Sequence, residues 1–212
     1  MLQKSITKTL ANILLSHYIK EYVRIKDKIA VLALHGGFIE RGTEQITRYI
    51  EKNSNASIYI ISGRAKRQNF KKFHVTSSDI NIDESTKLKT IVSSCDSCIT
   101  IHGHDKTEFP NTIFLAGPDK NLLKLLAFSL KNKLPACYKV EVETENIPED
   151  INCSNKNNIV YKFKKGGVQI ELPQSLRTTR NNNLTNHYSS SALFGDSLVV
   201  AQAIVRVIKK NS

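Results

Sequence analysis

Cysteine, long apolar runs and acidic residues are all scarce in this chain of 212 residues. Its four cysteines, Cys95, Cys98, Cys137 and Cys153, are too few and scattered for a disulfide scaffold in a chain long enough to bury a core without one, so reduced thiols are expected. Cys95 and Cys98 have the spacing of zinc ligands, but no second CxxC completes a structural site, and buried thiols are the simpler reading. No run of about eighteen apolar residues is present, so no helix is expected to span a bilayer. The first residues carry Lys4, Lys8, His17, Lys20 and Glu21 among their apolar positions, unlike a secretory signal. These absences point to a soluble monomer made in the cytoplasm, with no membrane partner. No repeat or linker divides the sequence, which reads as a single domain, with a helical extension over residues 1–26 and a core over 27–212.

Acidic residues number 19 against 31 Lys+Arg, a net charge of +12, which favours polyanionic partners by long-range attraction. Nucleic acid, an anionic membrane surface and an acidic polymer all satisfy that charge, and general solubility satisfies it equally. The basic residues fall in small groups (Arg64, Lys66, Arg67, Lys71 and Lys72; Lys162, Lys164 and Lys165). No aromatic-basic recognition motif accompanies them, which makes nucleic acid an unlikely partner.

Short β-branched runs alternate with helical periodicity, the pattern of an α/β fold with a mixed central sheet between two helical layers. Lys28 to Leu34, Ser57 to Ser62, Ser97 to Ile101 and Gly167 to Leu172 are nearly continuous in apolar residues, as strands covered on both faces are. Further strands are expected over Asn111 to Ala116, Ala136 to Val142 and Asn158 to Phe163, the last two paired near an edge. Helices are expected over Ile6 to Val23, Thr43 to Lys52, Ser85 to Ser94, Asp119 to Asn132 and Asp196 to Lys210, the last four each opening on a Ser, Thr or Asp able to cap free amides. Glu145 to Asn158 and Thr179 to Ser191 are polar and aperiodic, and read as loops.

Two of the apolar strands end in histidines. Lys28 to Leu34 runs into His35-Gly-Gly-Phe-Ile-Glu40, and Ser97 to Ile101 into His102-Gly-His104-Asp105. Open α/β sheets place ligands at the carboxyl ends of their strands, and the glycine pair lets the backbone return Glu40 toward His35. If the strands are neighbours, His35, Glu40 and His102 form a His₂Glu set with an open fourth position, as in many catalytic zinc sites. His104 and Asp105 are competing ligands. Glu171 is an isolated carboxylate in an apolar strand, either an edge-strand residue facing water or a general base for a water at the metal. Arg177 is placed to clamp a substrate carboxylate in two-pronged fashion; Arg180 reads equally as a surface residue.

The segments HGGFIERGTEQI (His35 to Ile46), FHVTSSDINIDE (Phe73 to Glu84), ITIHG (Ile99 to Gly103) and GVQIELPQSLR (Gly167 to Arg177) resemble, in order, the successive signatures of the phage and bacterial poly-γ-glutamate hydrolases. The resemblance covers the chain from about Lys28 onward. It departs where Thr43 is followed directly by Glu44, without an intervening Ser, and where Asp83 and Glu84 come late after Ser77, positions that bear on substrate preference more than on the metal. The resemblance implies a zinc carboxypeptidase-like fold, one zinc held by His35, Glu40 and His102, Glu171 as base, and endo-type cleavage of γ-glutamyl amide bonds in an anionic polymer. His74, Thr76 and Ser77 would line its cleft, though by themselves they read equally as an ordinary strand end. Two alternatives stand beside it: a related zinc amidohydrolase or carboxypeptidase acting on a small acylated amino acid or peptide, and a nucleic-acid-binding protein of a mobile element.

Overall fold

The fold follows from the nearly continuous apolar runs of the central strands, which bury both faces of the sheet. In a computed structural model, which describes residues 8–143, 145–177 and 193–211, the chain forms β1 (Ile19–Arg24), β2 (Ile29–Gly37), β3 (Ser57–Gly63), β4 (Ser97–His104), β5 (Thr112–Ala116), β6 (Lys139–Val142) and β7 (Gly167–Pro173). They make one mixed sheet in the order β1-β3-β2-β4-β7-β5-β6. The four central strands β3, β2, β4 and β7 are parallel, β1 is antiparallel to β3, and β5 is antiparallel to β7 and parallel to β6. Val31, Ile58, Ile99 and Val168 bury one face, against α2 (Thr43–Asn53), α5 (Lys120–Lys133) and α6 (Asp196–Asn211). Ala30, Leu32, Tyr59 and Cys98 bury the other, against α1 (Leu10–Leu14), α3 (Asn69–Phe73), α4 (Thr86–Ser94) and a short 3-10 turn. The result is the expected three-layer α/β fold, with no helix among the described residues long and apolar enough to cross a membrane.

Two expectations are corrected. The helix read over Ile6 to Val23 is confined to Leu10–Leu14, and the rest of the described segment forms β1. Without β1 the amides and carbonyls of β3 would be an unpaired edge, and Ile19, Tyr22 and Val23 suit a half-buried strand. The described part of the expected helical extension therefore contributes an edge strand, Ile19–Arg24, to the sheet itself. Asn158 to Phe163 is also not a strand: Ile159–Lys162 is a 3-10 turn, its first amides capped by Asn158 Oδ1, which accepts from Val160 N at 3.2 Å. Ile159 and Val160 are fully buried there, and a short apolar run looks alike in either conformation. The edge strand β6 pairs with β5 instead.

Ser85 and Asp119 cap α4 and α5 as expected, accepting from Leu88 N and Leu122 N. α2 starts differently, on Gly42 at φ +93°, while the Thr43 hydroxyl donates back to Glu40 O at 2.8 Å. The five-residue α3 is too short to show a period in sequence. Residues 145–158 carry no helix or strand, as read; Thr179 to Ser191 and Arg180 lie outside the described residues.

β2 ends on Gly37 at φ +70°, where a Cβ would lie 2.3 Å from Gly63 O and 2.7 Å from Ser62 Oγ. Gly195 also has a positive φ, +57°, but nothing lies within 4 Å of its would-be Cβ. Gly195→Ala should therefore cost only the left-handed backbone, about 1–2 kcal/mol. Gly37→Ala adds a clash with β3 and should lower the melting temperature by several degrees more, as thermal denaturation of the two variants will show.

Candidate metal centre at the carboxyl edge of the sheet

From β2 the chain crosses by α2 to β3 on one side, then returns by α4 to β4 on the other, so the strand order reverses between β2 and β4. Such a switch point opens a crevice at the carboxyl ends of the strands. His35 lies near the end of β2 and His102 on β4, in strands that pair directly. Between Ala33 and Gly36 β2 carries one more residue than β3, since Ala33 pairs with Ile60 and Gly36 with Ser62. This bulge breaks the alternation where His35 leaves the sheet. The turn after it is closed by Glu40 N donating to His35 O at 2.8 Å, which carries the Glu40 carboxylate back over the imidazole.

The three groups meet in the interior. His35 Nδ1 lies 2.7 Å from Glu40 Oε1, His102 Nδ1 lies 3.7 Å from Glu40 Oε2, and the two Nδ1 atoms are 3.2 Å apart. His35 Nε2 lies 2.8 Å from Val75 O; a carbonyl only accepts, so Nε2 carries the hydrogen and Nδ1 faces Glu40. His102 Nε2 is engaged by Ser77 Oγ at 3.3 Å, which leaves its Nδ1 to face the same point. Ligands on a tetrahedral zinc stand about 3.3 Å apart, given metal–nitrogen bonds of about 2.05 Å. A lone pair on one neutral imidazole facing another, with a carboxylate between them, fits a small divalent cation. His74, a half-buried residue, brings Nε2 within 3.5 Å of Glu40 Oε1 and forms a compact ligand-like group with His35 and Glu40.

The charges of these groups are set by burial and by each other. Burial works to raise the Glu40 pKa, but the His35 charge and hydrogen bonds with His102, His35 and His74 hold it well below the usual carboxylate range. For His35, burial lowers the pKa, and the Glu40 charge, the Glu40 hydrogen bond and the Val75 carbonyl reverse that to a net rise. Burial leaves His102 and His74 low.

Glu171 sits directly beside His102 in the β4–β7 register, so the two side chains leave the sheet on the same face. It is buried, at 5% exposure, which rules out the edge-strand alternative. Burial first, then the charges of Glu40 and Asp150, push its carboxyl well above the usual range against the pull of Arg177 and Gln169. A chain of amides aims it: Asn158 Nδ2 donates to Gln169 Oε1 at 2.8 Å, and Gln169 Nε2 donates to Glu171 Oε1 at 2.9 Å. Neither amide was singled out in the sequence. Gln169 was visible as the second polar residue on that face of an apolar strand, whereas nothing local marks Asn158. Thr76, Ser77 and His74 line the cleft above, which encloses about 660 Å³.

Arg177 is not in this cleft, which corrects its reading as a substrate clamp. It is 7% exposed, and donates from Nε to Leu172 O, from Nη1 to Arg41 O and from Nη2 to His104 O and Asp105 Oδ1, at 2.6 to 3.1 Å. Its guanidinium lies flat on Gly103, where a Cβ would be 2.4 Å from Cζ. The same contacts remove the competing ligands. Asp105 is held by Arg177, while His104 donates to Thr112 O from Nε2 at 2.8 Å and accepts at Nδ1 from Lys106 N. The lining of the cleft is also not basic: its far flank carries Asp105, Glu149 and Asp150, and Lys106 there is paired with Asp150 at 2.8 Å. Arg177→Ala would leave the buried carbonyls of Leu172 and His104, and the part-buried one of Arg41, without this donor, and is expected to cost about 2 kcal/mol or more. Denaturant unfolding checks this; a substrate clamp would raise KM and leave the unfolding midpoint where it was.

The match to known proteins agrees with the geometry. The family model of poly-gamma-glutamate hydrolase covers residues 7–196. An SPbeta prophage-derived UPF0714 protein, YoqZ of Bacillus subtilis (strain 168), is 27% identical over 159 residues, 74% of this chain and 53% of that protein. The chain spans about half the length of the curated relatives it matches. Among solved structures, a bacteriophage poly-gamma-glutamate hydrolase superposes with a TM-score of 0.76 at 20% identity, over 92% of this chain and 89% of the other. A zinc-free YNDL structure gives the same TM-score at 21% identity, over 92% and 91%. At such identities these two structures speak for the fold, and the family match, running from the first helix to the start of the last, settles the kinship: the chain belongs to the poly-gamma-glutamate hydrolase family.

Proposed function

We propose that this protein is a zinc-dependent, endo-acting hydrolase of the γ-glutamyl amide bonds of poly-γ-glutamate, working as a monomer. The observation that carries the reading is the convergence of His35 Nδ1, His102 Nδ1 and the Glu40 carboxylate beside Glu171, in a chain of this family. His35, Glu40 and His102 are the ligands in this reading; the zinc-free form known for a structural relative is in keeping with such a site. Bound there, zinc supplies a water of pKa near 7 and polarises the scissile carbonyl.

The protein's own residues supply the rest. Val75 O and Ser77 Oγ fix the ring orientations of the two histidines, as partners behind a ligating imidazole do. Glu171 accepts a proton from the attacking water and delivers it to the departing α-amino nitrogen, so that water and amide become carboxylate and amine. The Asn158–Gln169 relay keeps Glu171 Oε1 occupied and leaves Oε2 to move the proton. Thr76 and His74, at the mouth, contact the substrate in this reading.

The acidic flank formed by Asp105, Glu149 and Asp150 favours one alternative, a zinc amidohydrolase acting on a small acylated amino acid. Incubation with poly-γ-glutamate separates the two. An endo-acting enzyme shifts the whole size distribution downward before monomer accumulates, with a rate that falls as salt rises. No shortening by zinc-loaded protein, together with turnover of a small acylated amino acid, selects the alternative.

The roles of the site residues are separable by metal content. About one zinc per chain is expected, lost in His35→Ala and His102→Ala. Glu171→Gln should retain zinc and lose roughly a hundredfold to ten-thousandfold in kcat, with little change in KM. Zinc loss in Glu171→Gln, or full zinc in both histidine variants, would overturn the assignment.

A further inference from the structure

The other flank of the cleft has the opposite charge. Between Glu51 and Asp79 the sequence contains no carboxylate, and within that stretch lie Lys66, Arg67, Lys71 and Lys72. All four are exposed, and none has a carboxylate partner among the described residues. Other exposed lysines among the described residues, such as Lys52, Lys164, Lys209 and Lys210, also have no carboxylate partner, so what sets these four apart is their clustering in one carboxylate-free stretch that reaches the cleft. This segment follows Gly63, which pairs with Gly37 at the carboxyl end of the sheet, the end that bears the metal centre. It is joined to that centre by two stacked rings: Phe70, 55% exposed, lies 4.3 Å from His74, and His74 lies 4.1 Å from His35. Both Phe70 and His74 line the cleft.

We propose that residues 66–72 form a one-sided docking strip for the anionic chain, in which Lys66, Arg67, Lys71 and Lys72 hold successive pendant α-carboxylates of the polymer and Phe70 supports its methylenes at the cleft mouth. The proposal rests on the reading of the substrate as poly-γ-glutamate. Exposed cations without partners have no ion pair to break on binding, and a row of them suits a polymer bearing one carboxylate per unit. On the opposite flank Asp105 is paired with Arg177 and Asp150 with Lys106, beside Glu149, so that side offers no comparable group of free cations and the chain is held on the α3 side.

The test compares two quadruple variants with the same change in net charge. One replaces Lys66, Arg67, Lys71 and Lys72 by Gln; the other replaces Lys52, Lys164, Lys209 and Lys210, exposed lysines that do not line the cleft. Direct binding of poly-γ-glutamate is measured in both, on a Glu171→Gln background that does not consume it, together with KM and kcat in otherwise wild-type protein. The strip variant is expected to bind about tenfold more weakly or worse, with a shallower salt dependence, a raised KM and an unchanged kcat, while the other variant stays near wild type. Equal weakening in both would mean that net charge alone acts, and no weakening in the strip variant would mean that the segment is only a solvated face; either overturns the proposal. If wild type fails to shorten the polymer, the substrate reading falls instead, and the binding comparison still reports on the strip by itself.

Discussion

Glu40 cannot sit in the interior as an isolated anion, because the cost of burying an unpaired carboxylate exceeds what packing nearby recovers. At 7% exposure it draws on every neighbour: His35, His102 and His74 face it, and Gly103 N donates to Oε2 at 2.9 Å. This requirement explains features otherwise unrelated. The bulge in β2 aims His35 at it, the bond from Glu40 N to His35 O closes its turn, and the amide of Gly103 near the end of β4 donates to it. Positive charge is thus demanded at this point by the fold itself, whether a protonated His35 or a divalent cation supplies it.

Behind that centre, Arg177 ties together three chain segments that end near it. Its donors reach Arg41 after the Glu40 turn, His104 and Asp105 at the end of β4, and Leu172 in β7. β4 and β7 remain paired there, Gly103 with Leu172 and His104 with Pro173, so the guanidinium lying against Gly103 chiefly ties the Glu40 turn to that pair. A guanidinium suits this task because its fork of fixed donors can satisfy several carbonyls at once. The same side chain that reads as a substrate clamp in sequence is therefore a brace, acting on the site through the backbone that carries it.

The central strands and the long helices were legible because burial on both sheet faces leaves nearly continuous apolar runs, and amphipathic helices leave a period. His35, Glu40, His102 and Glu171 were legible because polar residues at the ends of such runs, or inside them, demand an explanation. β1 was not, since an edge strand covered on one side carries only a weak pattern, and Leu10, Ile13 and Leu14 nearby have helical spacing. Nor was the 3-10 turn at Ile159–Lys162, where a run of apolar residues has no period to read. The role of Arg177 and the relay through Asn158 depend on contacts between segments distant in sequence, 136 positions in the case of Arg177 and Arg41. Local pattern cannot report such contacts.

The charge distribution poses a constraint of its own. At distances of a Debye length, about 10 Å at moderate salt, an approaching polyanion meets a molecule of net charge +12 and is drawn in. At contact it meets Glu40, Glu171, Asp105, Glu149 and Asp150, which line the cleft with Lys106 as the one lysine among the lining residues. Coulomb energies at such range in partly buried surroundings are several-fold larger than in bulk water, so the charges at the cleft, more than the overall surplus of lysines, decide how an anionic group is received there. In the proposed reading, a divalent cation at His35, Glu40 and His102 would add positive charge at the point where a substrate carbonyl approaches. Such a cation would act twice, on the reacting bond and on the admission of a negatively charged chain.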